Sequence, residues 1–139
     1  RVPAMKKRVL FLCTGNSARS LIAEALLQNK AGAFFDVFSA GTAPAGVDSR
    51  TLEAIRQFGL PIEGLRSKSI SEFAGQRFDY VITLCDKARQ ECGSFPDAGE
   101  IIAWDFEDPK SRSGLKPFQL TLKELNDRIN MFVLIQSKA

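Results

Sequence analysis

Arg8-Val9-Leu10-Phe11-Leu12-Cys13-Thr14-Gly15-Asn16-Ser17-Ala18-Arg19-Ser20 is the stretch that decides the fold. Its first five residues are apolar and β-prone apart from Arg8, and read as a buried strand. Leu21-Ile22-Ala23-Glu24-Ala25-Leu26-Leu27 follows and is made of good helix formers. A cysteine therefore leaves a strand, crosses a tight loop and meets the start of a helix. Free N–H groups and the positive end of the helix dipole favour a bound oxyanion at such a place. The same surroundings favour a thiolate at Cys13. Arg19 adds a planar fork of donors suited to a tetrahedral oxyanion, and Ser20 can give its hydroxyl to the sulfur. The plainer alternative is a structural cysteine beside a surface arginine. Gly15, Asn16 and Ser17 weigh against it, because a core strand does not continue into turn residues.

Outward from this stretch, strands alternate with helices. The first helix runs to about Asn29-Lys30, and Ala31-Gly32 ends it. Phe34 to Ser39 reads as a second strand, followed by a Gly- and Pro-rich loop, Ala40 to Gly46. Asp48 or Ser49 caps a helix reaching Gln57-Phe58, which Gly59 closes. Ser69 or Ser71 starts a short turn at Glu72-Phe73-Ala74. Phe78 to Leu84 is a third strand ending at Cys85, and Glu100 to Trp104 is a fourth. Ser111 to Gly114 is a polar loop, and Pro117 opens a last helix reaching Ile135. The alternation implies an α/β domain, a parallel sheet with helices on both faces. Right-handed crossovers put the strand-to-helix loops, and with them the ligand site, on the carboxyl edge.

The chain has 139 residues, 45% of them hydrophobic and 25% charged, which fits one soluble domain. We take residues 5–139 as that domain and Arg1-Val2-Pro3-Ala4 as an expression remnant ahead of Met5. A net charge of +3 is too mild to argue for a nucleic-acid or membrane partner. No apolar run is long enough to span a bilayer, and no signal peptide is visible. An odd count of three cysteines suits reactive thiols in the cytoplasm better than a disulfide framework. The chain holds no histidine, so Ser-His-Asp or Cys-His catalysis and His-ligated metal are excluded within it.

Cys13, five intervening residues, Arg19 and Ser20, set between a strand and a helix, resemble the active loop of the low-molecular-weight protein tyrosine phosphatase superfamily. The wording Cys13-Thr14-Gly15-Asn16-Ser17-Ala18-Arg19-Ser20 is most similar to its thioredoxin-coupled arsenate reductase branch. The resemblance implies a four-stranded parallel sheet in the order 2-1-3-4. It further implies that residues 14 to 20 bind the substrate oxyanion, arsenate, with phosphate or sulfate as mimics.

In that strand order Cys13 and Cys85 end neighbouring strands about 4.8 Å apart, so their sulfurs can approach. Taken alone, Cys85 is equally well a small buried hydrophobe. Cys92 tips the balance. Were residues 85–92 one helix, the two Cα atoms would stand about 10 Å apart. A disulfide needs about 4.4–6.8 Å. We therefore expect a two-state segment, helical or irregular when reduced and looped out when oxidised, with Gly93, Ser94 and Pro96 easing the change. The spacing of all three cysteines resembles that of the thioredoxin-coupled reductases, whereas a phosphatase needs only the first.

The resemblance places a general acid as an Asp before Pro, which Asp108-Pro109 matches; Asp105 and Glu107 do not precede a proline, and Asp-Pro is also a common turn. The implied reaction is attack of Cys13 on arsenate, then of Cys85 on Cys13, then of Cys92 on Cys85. A thioredoxin or similar thiol reductant closes the cycle, a monomer suffices, and no cofactor or metal is needed. The alternative is a phosphatase acting on phosphotyrosine or small aryl phosphates through Cys13, Arg19 and Asp108. Against it stand a loop from Gly41 to Asp48 without aromatics, Lys110 where many tyrosine phosphatases carry Tyr, and Ala18 where many carry a second loop cysteine. A phosphate-sensing module without turnover is a third reading, one that needs neither Cys92 nor Asp108. Some reductases of the branch hold potassium through an Asn, a Glu, a Ser and an Asp. Asn16, Glu24 and Ser39 match, but Lys68 stands at the Asp position. Either its ammonium replaces the ion beside Glu24, removing any potassium dependence, or Lys68 is a solvated surface residue.

Overall fold

β1 (Lys7–Cys13) is an inner strand, because Val9, Leu10, Phe11 and Leu12 are buried to within 1% of their surface. A computed structural model, which describes residues 6–85 and 98–136, places it between β2 (Phe35–Gly41) and β3 (Tyr80–Thr83). β4 (Glu100–Ala103) pairs with β3 at the edge. All pairs are parallel, and the sheet order is β2-β1-β3-β4, as expected. A strand covered on both faces reads as an unbroken apolar run rather than an alternation. Val9 and Phe11 point into the larger core, and Leu10 and Leu12 into a smaller one with Phe73 and Phe78.

The larger core is built on α1 (Arg19–Ala31), α2 (Ser49–Gln57) and α3 (Lys116–Gln136). Ile22, Leu26 and Leu27 of α1 meet Ala54 and Ile55 of α2 and Phe118, Leu122, Leu125 and Ile129 of α3 there. The opposite face carries a 3-10 turn, Ile70–Phe73. Phe38, Phe73 and Phe78 meet edge-on there with ring centres 5.6 to 5.8 Å apart. The Arg8 guanidinium lies over Phe38 and Phe78 at 4.9 and 4.8 Å. Helical structure thus lies on both faces of the sheet.

Boundaries moved where side chains compete with the ladder. β3 is shorter than the apolar run suggests, since Phe78 turns into the aromatic cluster and Asp79 takes the Arg8 N–H at 2.8 Å. The turn after Ser69 begins at Ile70, two residues early, because the Ser69 hydroxyl accepts from Ser71 N. A second 3-10 turn, Pro109–Ser111, capped by Asp108, takes in only the first residue of the expected polar loop from Ser111 to Gly114. Asp48, rather than Ser49, caps α2, and Gly59 closes it at φ +93°. Among the described residues no helix is long and apolar enough to cross a membrane.

Candidate active site

Residues 14 to 18 form the loop between β1 and α1, and the carbonyls of Thr14, Gly15 and Ser17, with that of Cys13 before them, are tied away from it. Cys13 O accepts from Thr42 N, Thr14 O from Ala43 N, Gly15 O from Ala45 N and Ser17 O from Asp48 N, at 2.9 to 3.2 Å. Ser67 Oγ and Thr51 Oγ1 also donate to the carbonyls of Gly15 and Ser17. With the carbonyls held outward, the N–H groups of the loop are left for a ligand. The helix start agrees: Ala18 stands at the cap of α1 and supplies no side-chain oxygen to its first turn. Gly41 is required beside the loop, since a Cβ there would lie 2.5 Å from Thr14 O and 2.9 Å from Asn16 N.

Below the loop runs a buried polar chain. Cys13 Sγ lies 2.9 Å from Ser20 Oγ, which accepts from Asn16 Nδ2 at 2.6 Å. The same amide donates to Ser39 Oγ at 3.0 Å, and Ser39 donates to Glu24. Asn16 holds φ +45°, a left-handed conformation that asparagine tolerates better than most residues. Its Oδ1 accepts the Lys68 backbone N–H at 2.7 Å. The Lys68 ammonium donates to Ser39 Oγ at 3.2 Å and Arg66 O at 2.7 Å, and sits 3.5 Å from Glu24. Lys68 is only 7% exposed, so it is not the solvated surface residue of the plainer reading. Burial pushes its ammonium below the usual lysine range, against the opposing pull of Glu24.

Arg19 is 8% exposed and anchored from behind: its Nη1 donates to Leu84 O at 3.3 Å and Phe106 O at 2.9 Å. Its Nη2 lies 3.8 Å from Asp108 Oδ2. Asp108 caps the Pro109–Ser111 turn by accepting Lys110 N at 3.0 Å. The Lys110 ammonium reaches the loop, donating to Ser17 Oγ at 3.2 Å. Arg50 clasps Asp48 through Nε and Nη2 at 3.0 and 2.9 Å and holds its carboxyl below the usual carboxylate range.

Cys85 follows β3, whose Thr83 pairs with Leu12 of β1. Its Sγ lies 3.3 Å from Thr14 Oγ1. Cys13, Arg19, Ser20, Cys85 and Asp108 are thus gathered at the carboxyl edge of the sheet. Cys92 and the expected two-state segment 86–92 lie outside the described residues. The sequence reading missed the support of the loop by residues 42–48, Thr51 and Ser67, and the contact of Lys110 with Ser17. Most of those ties run from the backbone, which a residue string does not display. Lys110 was visible through its place after Asp108-Pro109, but not the direction of its side chain.

A groove of about 570 Å³ lined by Asp105, Glu107, Glu124, Asp127, Phe106 and Arg128 is a poor rival for an oxyanion. Four carboxylates face one guanidinium, which lies over the rings of Trp104 and Phe106.

Comparison with known proteins agrees with this geometry. Residues 8–138 match the family profile described as low molecular weight phosphotyrosine protein phosphatase. An arsenate reductase of Halalkalibacterium halodurans is 35% identical over 132 residues, covering 91% of this chain and 95% of that protein. A solved structure described as an arsenate reductase in the phosphate binding state superposes with a TM-score of 0.82 at 26% identity, over 92% of this chain and 97% of that one. A thioredoxin-dependent arsenate reductase of Corynebacterium glutamicum superposes with a TM-score of 0.75 at 29% identity, over 99% of this chain and 66% of that longer one.

Proposed function

This chain belongs to the low molecular weight phosphotyrosine protein phosphatase family, and within it we propose that the protein is an arsenate reductase that passes two electrons through three cysteines. The observation that carries this reading is the second thiol at the mouth of the loop, Cys85 Sγ 3.3 Å from Thr14 Oγ1. Hydrolysis of a phosphate ester has no use for it. The arsenate reductases among the relatives support the same choice.

In the proposed reaction the Cys13 thiolate attacks arsenic while the loop N–H groups and Arg19 hold the oxyanion. Asp108 protonates the leaving oxygen, which departs as water. The Cys85 thiolate then attacks the Cys13 sulfur. A sulfur–sulfur bond forms, the sulfur–arsenic bond breaks, and its electron pair stays on arsenic, which leaves as arsenite. Cys92 attacks Cys85, which frees Cys13 and leaves a Cys85–Cys92 disulfide. A thioredoxin-type dithiol returns the two electrons. All three thiols belong to one chain, so a monomer suffices, and the reading places the protein in the cytoplasm, where thiols are kept reduced.

Ester hydrolysis through a Cys13 phosphocysteine is the second reading, favoured by the shared grouping of Cys13, Arg19 and Asp108. Cys85→Ser separates the two. Arsenate turnover with thioredoxin is expected to vanish in that variant while cleavage of a small aryl phosphate continues. Arsenate turnover that survives the substitution contradicts the reductase roles.

A further inference from the structure

We propose that Lys110 sets substrate specificity, its ammonium selecting free tetrahedral oxyanions over organic esters. This inference rests on the arsenate reading and deepens it. Among the described residues Arg19, Arg50 and Lys110 stand around the mouth of the loop, and the two arginines are already engaged. Arg19 is anchored on the carbonyls of Leu84 and Phe106 and faces Asp108 at 3.8 Å. Arg50 is clasped by Asp48 and lies over the Phe118 ring at 4.4 Å. Lys110 differs. Its ammonium donates to a neutral partner, Ser17 Oγ at 3.2 Å, and no carboxylate among the described residues forms an ion pair with it. Asp48 feels this charge at longer range but makes no close pair with it, so the ammonium is only partly offset beside a loop whose N–H groups already favour an anion, which strengthens the local positive field.

Position turns this charge into a choice between substrates. The Lys110 N–H donates to Asp108 Oδ1 at 3.0 Å, so one short turn carries both the ammonium and the carboxyl group. Pro109 is buried and seats that turn against the body of the protein. Attack by Cys13 sets the leaving oxygen on the far side from sulfur, in reach of Asp108. In free arsenate or phosphate that oxygen carries only a proton or a charge, and a neighbouring ammonium can hydrogen-bond the anion there. In an ester the same oxygen carries the organic group. A ring set against the ammonium strips its water and offers only a cation–π contact, weaker at an exposed site than the charge–charge attraction it displaces.

Lys110→Met and Lys110→Arg test the proposal. The readouts are inorganic phosphate affinity by calorimetry on the reduced protein, and kcat/KM for arsenate and for p-nitrophenyl phosphate. Lys110→Met is expected to bind phosphate about tenfold more weakly, equivalent to about 1.4 kcal/mol. Its kcat/KM for arsenate falls in parallel, and the ester-to-arsenate ratio rises by about tenfold. Lys110→Arg keeps the charge and restores the phosphate affinity to within about threefold of the parent protein. Equal losses on ester and oxyanion overturn the proposal, as does a phosphate affinity that Lys110→Met leaves unmoved. If the parent protein fails to reduce arsenate, the reaction assigned above is wrong; phosphate affinity set against the KM for the ester still decides the role of Lys110.

Discussion

The sulfur of Cys13, at the end of β1, and the hydroxyl of Ser20, the second residue of the helix that follows the loop, stand 2.9 Å apart. Asn16 Nδ2 already donates to the Ser20 oxygen at 2.6 Å, which leaves the hydroxyl proton to point at sulfur. A hydrogen bond to a charged group contributes about 1.5–3 kcal/mol. Ser20→Ala is therefore expected to slow alkylation of Cys13 by iodoacetamide at neutral pH, and turnover of either substrate class, by roughly 10- to 100-fold. Stopped-flow alkylation in a background carrying both Cys85→Ser and Cys92→Ser measures the effect on Cys13 alone. An unchanged rate shows that the hydroxyl does not assist the nucleophile.

Gly41→Ala puts a methyl group 2.5 Å from Thr14 O. The neighbour is backbone and cannot swing aside, so overpacking is expected to cost about 1–3 kcal/mol of stability. The displaced loop also binds phosphate less well. Urea unfolding and phosphate titration of the variant check both effects, and a stable variant of normal affinity contradicts the close packing of β2 on the loop.

Lys68 gives a pH signature. Glu24, Arg66 and Glu72 are the charged groups around its ammonium, and burial outweighs the favourable pull of Glu24. The folded state therefore releases this proton at lower pH than the unfolded state does. Below the lowered folded value both states are charged, and the desolvation cost is fully present. As pH rises through that value the cost is relieved, until the unfolded lysine also titrates near about 10.4. Stability of the parent protein relative to Lys68→Met is expected to rise with pH across this window, as read by urea unfolding at a series of pH values. A flat difference removes the assignment.

Potassium is the companion measurement for the same residue. With an ammonium already on Ser39 and Glu24 at 3.2 and 3.5 Å, exchanging sodium for potassium is expected to leave arsenate turnover unchanged. A rate that climbs with potassium shows that Lys68 does not stand in for the ion.

Asp108→Asn removes the proton given to the leaving oxygen. Aryl phosphates with poor leaving groups are expected to lose about 10²–10⁴-fold in kcat. Those with good leaving groups lose less, because they depart with little protonation. A uniform loss across a leaving-group series assigns Asp108 to holding Arg19 instead, at 3.8 Å.

The fold was legible because β1 writes its environment into its composition. Four successive apolar residues, Val9 to Leu12, demand cover on both faces, and the helix behind them supplies it on one. Cys13, Arg19 and Ser20 were legible because their spacing is fixed by one local turn. Lys68 was half legible: its identity marked a cation, but burial at 7% comes from the return of residues 66–69 alongside β2. The outward ties of the loop carbonyls to residues 42–48 were not legible at all, because backbone N–H donors are common to almost every residue type. The reach of Lys110 to Ser17 joins positions far apart in the chain and depends on the turn at Pro109.

The central claim is the order in which the three thiols react, and a single turnover reads it most directly. Fully reduced protein is mixed with one equivalent of arsenate and no reductant, quenched with an alkylating agent, and its peptides are mapped by mass spectrometry. The relay predicts one equivalent of arsenite, an alkylated Cys13, and Cys85 joined to Cys92. Three alkylated thiols, or a bond that still holds Cys13 when the reaction has ended, would contradict it.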